Sequence, residues 1–196
     1  MDIDPQELLE EARQASASRL NAAVAITVAV LATFMGICKV KDDNIVQAMQ
    51  QAQADRVDHW GYYQARNIRQ ELAESAATQL ELARPPGNGE AAARYDAAIK
   101  RYRDQAADQA RKKEEVRKQA EQDQKTYDAL NYRDDQFDLS DALLAIAIAM
   151  LAVTALTQLW PLYFAALVPT AFGVLMGTAG LLGWALHPDA LIKLLS

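Results

Sequence analysis

The chain has 196 residues, of which 51% are hydrophobic, and a formal net charge of -6 at pH 7. This acidic balance argues against a nucleic-acid partner, which needs a basic face, and the single cysteine, Cys38, excludes an intrachain disulfide. The charged residues are segregated, since none lies between Arg19 and Lys39 or between Asp141 and Asp189. An α-helix needs about 20 apolar residues to cross a bilayer. We therefore predict a membrane protein with one charged, water-exposed segment.

The first uncharged stretch follows an N-terminal tail, residues 1–19, that is rich in aspartate and glutamate. A secretory signal peptide begins with a basic region, so this acidic tail argues against one. The stretch itself is long enough for a single crossing. We predict a retained transmembrane helix over residues 20–39.

The second uncharged stretch is long enough for two transmembrane helices, which we place at residues 139–160 and 162–186. Between them, Pro161 cannot continue a helix interior, and Trp160 suits the membrane interface. Within the third span, Pro169 is expected to kink or restart the helix. A short tail, residues 187–196, follows.

Three glycines of the third span, Gly173, Gly177 and Gly180, are spaced by four and three residues and so share one helix face. Small residues let helix backbones approach closely in lipid. This helix-packing stripe has two interpretations. It forms either a groove for another span of the same chain or a contact between subunits.

Residues 40–138 separate the first and second spans and contain one cluster of helix breakers, at residues 84–89. Proline and glycine packed together mark a turn. The flanking arms, about residues 41–83 and 90–132, are rich in good helix formers. The sequence therefore predicts an all-α protein with a long antiparallel helical hairpin, a coiled coil, inserted between the first two spans.

The second arm repeats its core positions at alternating spacings of four and three, as coiled coils do. These positions are Tyr95, Ile99, Tyr102, Ala106, Gln109, Lys113, Val116, Ala120, Asp123, Tyr127 and Leu130. On the first arm we expect Gln64 to lie opposite Gln109. The other facing positions are expected to be Ile45, Ala52, Val57, Ala65, Ile68, Leu72, Ala76 and Leu80. Because many of these interface positions are alanines or polar residues, the hairpin would bury little apolar surface by itself. Arms from several chains are therefore expected to pack together as a homo-oligomer. A break or elbow is expected at residues 133–141.

The sequence offers little support for catalysis or metal binding. It contains no dinucleotide-binding glycine motif, no P-loop and no nucleophile elbow. One cysteine and two distant histidines cannot form a familiar zinc site, and paired acids such as Asp42 and Asp43 are expected on a solvated face. We predict no enzyme activity, no cofactor and no metal. The predicted spans hold no ionisable side chain, which argues against coupled transport. A pore lined by threonine side chains remains an alternative hypothesis.

The segment Asp58–Arg69 concentrates aromatic rings in an arm that otherwise has few. The candidate interaction surface consists of Trp60, Tyr62, Tyr63, Arg66 and Arg69. Such a cluster serves either internal packing or the binding of a protein partner. We expect Gly61, Ala65 and Ile68 to face the second arm.

The same segment, with its acidic residue, Trp, Tyr pair, Gln-Ala and Ile-basic ending, resembles the hallmark of a bacterial membrane family, domain-of-unknown-function family 4337. The order of one span, a charged helical middle and two close spans is similar too. The resemblance implies a membrane protein of unknown function and supplies no catalytic residue.

We expect an integral membrane protein whose partners are the lipid bilayer, further copies of itself and a protein bound through the hairpin. Basic residues near the membrane favour a cytoplasmic hairpin and C-terminus, in a bacterial inner membrane with the N-terminus outside. A non-enzymatic structural or scaffold role is the first hypothesis. The alternative is an oligomeric channel or pore gated by the helical module.

Overall fold

The computed structural model describes residues 5–184 and residue 186 and contains three long helices among them. They are α1 (Pro5–Ala83), α2 (Glu90–Thr157) and α3 (Trp160–Leu182). The predicted all-α class is confirmed. The start of the acidic tail and the tail at residues 187–196 lie outside the described residues.

Each of the three helices contains a segment long and apolar enough to cross a membrane. The predicted number of candidate spans is thereby confirmed. The chain divides into two compact units, of which one is Ala48–Ala129, here called the helical module. The other, here called the apolar unit, combines the described residues before Ala48 with those from Leu130 onward.

Helix α2 runs without interruption from Glu90 to Thr157, so the break expected at residues 133–141 is wrong. The hydroxyl of Ser140, within this segment, donates to the carbonyl oxygen of Gly173 at 2.8 Å, and Ser140 is buried. Phe137 and Leu139 are buried beside it. Packing against the other helices therefore holds this segment helical where its local sequence favours a cap.

The connection between α2 and α3 is only two residues long. Gln158 has a φ of 56°, and Leu159 is extended and precedes the first turn of α3. Pro161 lies in that first turn, where its missing N–H costs nothing. Helix α3 continues through Pro169, so the alternative of a helix restart there is wrong.

The core of the apolar unit draws on all three helices. Its buried members are Leu20, Val24, Leu31, Leu144, Ala147, Leu151 and Ala166. Two polar contacts join the same helices: Thr27 Oγ1 lies 3.0 Å from Tyr163 Oη, and the amide of Gln158 donates to Asn21 Oδ1 at 2.8 Å. Exposed side chains such as Val30, Ile146 and Phe172 cover the outside. Such an outer surface suits hydrocarbon better than water.

The predicted glycine stripe faces other helices of the same chain. A Cβ atom on Gly173 would lie 2.8 Å from the side chain of Leu144. On Gly177 it would lie 2.7 Å from Phe34, and on Gly180 it would lie 2.9 Å from Phe137. These distances are shorter than a carbon–carbon contact allows. The geometry is that of the intrachain groove rather than a contact between subunits.

Arms α1 and α2 contact each other within the helical module through small and polar side chains. Several predicted positions of α2, including Ile99, Ala106, Gln109 and Ala120, are buried. On α1, the buried or half-buried positions follow one alternation of four and three residues. They are Met49, Ala52, Arg56, His59, Tyr63, Arg66, Gln70, Ala73 and Ala77.

Of the expected partners on α1, Ile45 and Ala52 are buried. The expectation is wrong for Val57, Ile68 and Leu72, which are 60%, 56% and 64% exposed. Polar side chains occupy the interface instead. Arg56 donates to Gln124, His59 Nδ1 lies 2.6 Å from Asp123 Oδ2, and Arg66 donates to Gln109 at 3.0 Å.

The physical reason for this difference lies on α2, whose own seam is polar at Gln109, Lys113 and Asp123. A buried or half-buried polar group needs a hydrogen-bonding partner, and an apolar side chain cannot supply one. Polar residues of α1 therefore face these positions, and Gln109 pairs with Arg66 rather than with Gln64.

Replacing Gly177 with alanine should destabilise the protein by about 1–3 kcal/mol, the usual cost of overpacking. The new methyl group would meet both the Phe34 ring and the Ser140 hydroxyl at 2.7 Å. Gly36→Ala is the matched control, because nothing lies within 4 Å of its Cβ position. It should be neutral or stabilising by up to about 1 kcal/mol. Unfolding of the purified protein in detergent measures both, and equal effects would contradict the prediction.

Candidate functional site

The five residues of the candidate interaction surface do not share one environment. The rings of Trp60 and Tyr63 meet edge to face, with centroids 5.3 Å apart. Tyr63 is half-buried and lies beneath Lys113 Nζ of α2, 5.9 Å from the ring centroid. Arg66 donates to Gln109 of α2. Tyr63 and Arg66 therefore help to join α1 to α2, which is the internal-packing interpretation.

The other three predicted residues, Trp60, Tyr62 and Arg69, are exposed. Gly61, Ala65 and Ile68, which were expected to face α2, are exposed as well, so that expectation is wrong. No side chain comes within 4 Å of the Cβ position of Gly61. Trp60 and Gly61 border a shallow groove whose lining also includes Gln124 of α2, so the exposed part of the aromatic segment flanks the contact with α2.

An exposed row of apolar side chains continues along that side of α1. We call it the apolar stripe; its members are Val57, Trp60, Ile68, Leu72 and Leu82. At 3.6 residues per turn these positions fall within about a third of the helix circumference, so they share one broad face of α1. Sequence reasoning identified most of these residues but assigned them to the interface with α2.

A second candidate site lies in the apolar unit, where α1 and α2 become charged again beyond their apolar segments. We call this group the boundary cluster. It consists of Lys39, Asp42, Asp134, Asp138 and Asp141. Asp42 is only 5% exposed, so the expectation of a solvated face is wrong for it.

Asp42 uses only one of its carboxylate oxygens. Lys39 Nζ donates to its Oδ2 at 2.8 Å and also lies 3.3 Å from Asp43 Oδ1. The other oxygen of Asp42, Oδ1, is buried and has no hydrogen-bond partner in the part of the chain that the structure describes. An unsatisfied buried acceptor is costly and calls for an explanation.

The acids of α2 in this cluster have raised pKa values. Burial raises the pKa of Asp134 to about 7, and contact with the Asp42 carboxyl and repulsion from Asp138 add to the effect. Burial, followed by the charge of Asp42, also raises the pKa of Asp138. Both causes disfavour the charged carboxylate. Asp134 and Asp138 therefore hold protons more tightly than isolated aspartates do.

A small cavity of about 30 Å³ lies beside these carboxyls. Its lining includes Cys38, Asp42, Asp138, Ser140 and Asp141. A space of this size and polarity accommodates water. Among residues 5–184 and 186, no group of three or more acidic, histidine or cysteine side chains has an arrangement that could hold a metal ion.

Polar residues of α2 also bind the end of α3. Gln136 is fully buried and donates from Nε2 to the carbonyl oxygens of Trp184 and Leu186, at 2.8 and 2.6 Å. Arg133 donates to the carbonyl oxygen of Gly180 at 2.8 Å. The last carbonyls of a helix lack partners within it, so these two side chains supply donors to the final turn and to the chain beyond it.

Sequence reasoning missed both the boundary cluster and these contacts. One signal was present: Asp134, Asp138 and Asp141 are spaced by four and three residues and share a helix face. Nothing comparable marks Gln136, whose role depends on where α3 ends.

Comparison with known proteins places the chain in a family. The family model described as Domain of unknown function (DUF4337) matches residues 20–183. The chain belongs to this family. The match confirms the resemblance drawn from the Asp58–Arg69 segment, and it includes the aromatic segment, the boundary cluster and the glycine stripe. No curated protein and no solved structure matches the chain.

Replacing Gln136 with leucine should destabilise the packing of α3, because two carbonyl oxygens would lose their donor. The expected loss is about 1–3 kcal/mol. Gln105→Leu is the control, since Gln105 is exposed on the same helix. Unfolding in detergent and hydrogen exchange at residues 179–184 provide the two measurements. Unchanged exchange in Gln136→Leu would contradict the assigned role.

Proposed function

We propose that this member of the DUF4337 family is a non-enzymatic, homo-oligomeric membrane scaffold. In this proposal, the three candidate spans anchor the chain in the bilayer. The arms of α1 and α2 form an antiparallel coiled-coil hairpin between the first and second spans, and this hairpin associates with further copies and recruits protein partners. The observation that carries the proposal is the exposed apolar stripe of α1.

The stripe is unusual for a helix surface in contact with water. Val57, Ile68 and Leu72 are each more than half exposed, and Leu82 is 84% exposed. Isolated apolar residues on a surface need no explanation, but several that share one helix face indicate an interaction site. From Val57 to Leu82 the row covers 25 residue steps, or about 38 Å of helix. A stripe of that length fits another helix better than it fits a small ligand.

The proposed occupant is a second copy of the same stripe. Most soluble oligomers form from identical chains through two-fold symmetric, self-complementary patches. Pairing two stripes would bury apolar surface that the module's own interface leaves out, because that interface consists largely of alanines and polar side chains. Each buried leucine or isoleucine contributes about 1.5–3 kcal/mol. The module would therefore gain much of its stability by association.

The pore alternative has weaker support. The hydroxyls of Thr33, Thr154 and Thr157 each donate to a carbonyl of their own helix, four residues earlier. Thr27 donates to Ala23 in the same way and also meets Tyr163. Thr154 is also fully buried inside the chain, so its hydroxyl does not face an axis between chains.

The double variant Ile68→Lys, Leu72→Lys should dissociate the oligomer, because two charges would be buried in an apolar contact. We expect the dissociation constant to rise at least about tenfold, given the apolar burial lost. Tyr62→Lys is the control: Tyr62 is 61% exposed but lies off the stripe. Native mass spectrometry and light scattering of the detergent-solubilised protein report the oligomer.

Three results would overturn the scaffold proposal. The first is a wild-type protein that is monomeric in both detergent and lipid. The second is an oligomer that survives in the double variant and dissociates with Tyr62→Lys. The third is ion conductance by the purified protein in planar bilayers, which would favour the pore.

We further propose that the hairpin and the C-terminus are cytoplasmic and the N-terminus lies outside, in a bacterial inner membrane. With Cys38 replaced by alanine, Asn88→Cys in the exposed turn should react with an impermeant maleimide only after the cells are opened. Ser18→Cys, exposed before the first apolar segment, should react in intact cells. The reverse pattern would contradict this orientation.

A further inference from the structure

Asp42 lacks a donor that its position requires. Its side chain is more than nine-tenths buried, and Oδ1 has no hydrogen-bond partner among the described residues. The carboxylate lines the small cavity of the boundary cluster. Lys39 donates to Oδ2 and to Asp43, so the only cation of the cluster is already engaged on the other side of the group.

One group that could supply a donor is the carboxyl of Asp134. It interacts with the Asp42 carboxyl and lies one helix turn before Asp138, which lines the same cavity as Asp42. Two interacting charged carboxylates repel each other, and neither can donate. A single proton removes both problems, because a protonated carboxyl carries an O–H group and no charge.

We propose that Asp134 and Asp42 form a proton-binding site, in which Asp134 carries one proton and donates it in a hydrogen bond to Asp42 Oδ1. The ligand of this site is the proton itself. When the proton leaves, two carboxylates face each other across the contact between α1 and α2, and that contact weakens.

The surrounding charges favour the protonated state. From α1 the pair is faced by Cys38, Lys39 and Asp43, and from α2 it is faced by Asp135, Asp138 and Asp141. Helix α3 contains no acidic, basic or histidine residue, and Arg133 donates to Gly180. Carboxyl groups therefore outnumber the cation Lys39, and each added negative charge near Asp134 makes a proton more favourable there.

A metal ion is a poorer occupant than a proton. The described residues do not place three candidate ligands around a common point, whereas hard cations such as Ca²⁺ take six or more oxygen ligands. The unpartnered Oδ1 needs one donor, which a neighbouring O–H group provides.

The pH dependence follows from the direction of the shift. The pKa of Asp134 is raised from 3.8 to about 7 in the folded protein, so the folded state keeps a proton that the unfolded chain releases at lower pH. Stability must therefore fall as the pH rises from about 4 to about 7 and then level off. The raised pKa of Asp138 acts in the same direction.

Infrared spectroscopy of the full chain in lipid nanodiscs detects the site directly, because a protonated carboxyl has a C=O stretch separate from that of a carboxylate. Wild type should show this band below neutral pH and lose it with a midpoint near 7. Asp134→Asn should lack the band while keeping a donor to Asp42. Its stability, measured by unfolding across the same range, should depend less on pH than that of wild type.

Further variants assign the band. In Asp42→Asn the midpoint should fall by about one pH unit or more, since a facing carboxylate is removed. Asp138→Asn should retain the band, and Asp104→Asn, an exposed carboxyl on the same helix, should match wild type. These variants also keep the test valid where Asp134→Asn fails to fold.

Three outcomes would overturn the proposal. The band could be absent from wild type at every pH above the ordinary aspartate value. It could persist in Asp134→Asn or disappear only in Asp138→Asn. Finally, micromolar Ca²⁺ or Mg²⁺ could abolish it at pH values below neutrality, which would make the cluster a cation site.

Discussion

The close approach of α3 to the other two helices is the contact on which the apolar unit depends. Three glycines without side chains allow Leu144, Phe34 and Phe137 to come closer to the α3 backbone than any Cβ would permit. In the same region, Ser140 donates to Gly173. This contact fixes the rotation of α2 about its own axis. It therefore decides that the helix face carrying Asp134 and Asp138 meets Asp42.

Sequence reasoning succeeded where one physical effect dominates. The hydrophobic requirement of a membrane gave the three candidate spans, and the proline and glycine cluster lay between α1 and α2. The prediction of which α1 residues face α2 in the helical module was partly wrong, because two effects compete there. Apolar spacing favoured Ile68 and Leu72 at the interface, whereas hydrogen bonding favoured His59 and Arg66. The spacing of apolar residues predicts which positions are buried, but it does not show which polar side chains can form hydrogen bonds with each other.

The boundary cluster shows a different limit. A charged residue next to Lys39 is ordinarily solvated, and nothing in the local sequence distinguishes Asp42 from its exposed neighbour Asp43. Burial of Asp42 arises from the packing of α2, which is distant in sequence and places Phe137 and Ser140 around the same cavity. The aromatic segment was recognised as unusual, and it identified the family. Of the five residues of the candidate interaction surface, Tyr63 and Arg66 contact α2. The other three are exposed, and each residue's place around the helix axis decides to which group it belongs.

The short connection at Gln158 and Leu159 also constrains the order in which the apolar unit can assemble. Two residues span at most about 7 Å, so the end of α2 and the start of α3 stay together from the moment both helices form. The apolar part of α1 lies more than a hundred residues earlier in the chain and is free to join them later. The contacts of Asn21 with Gln158 and of Thr27 with Tyr163 would then form last.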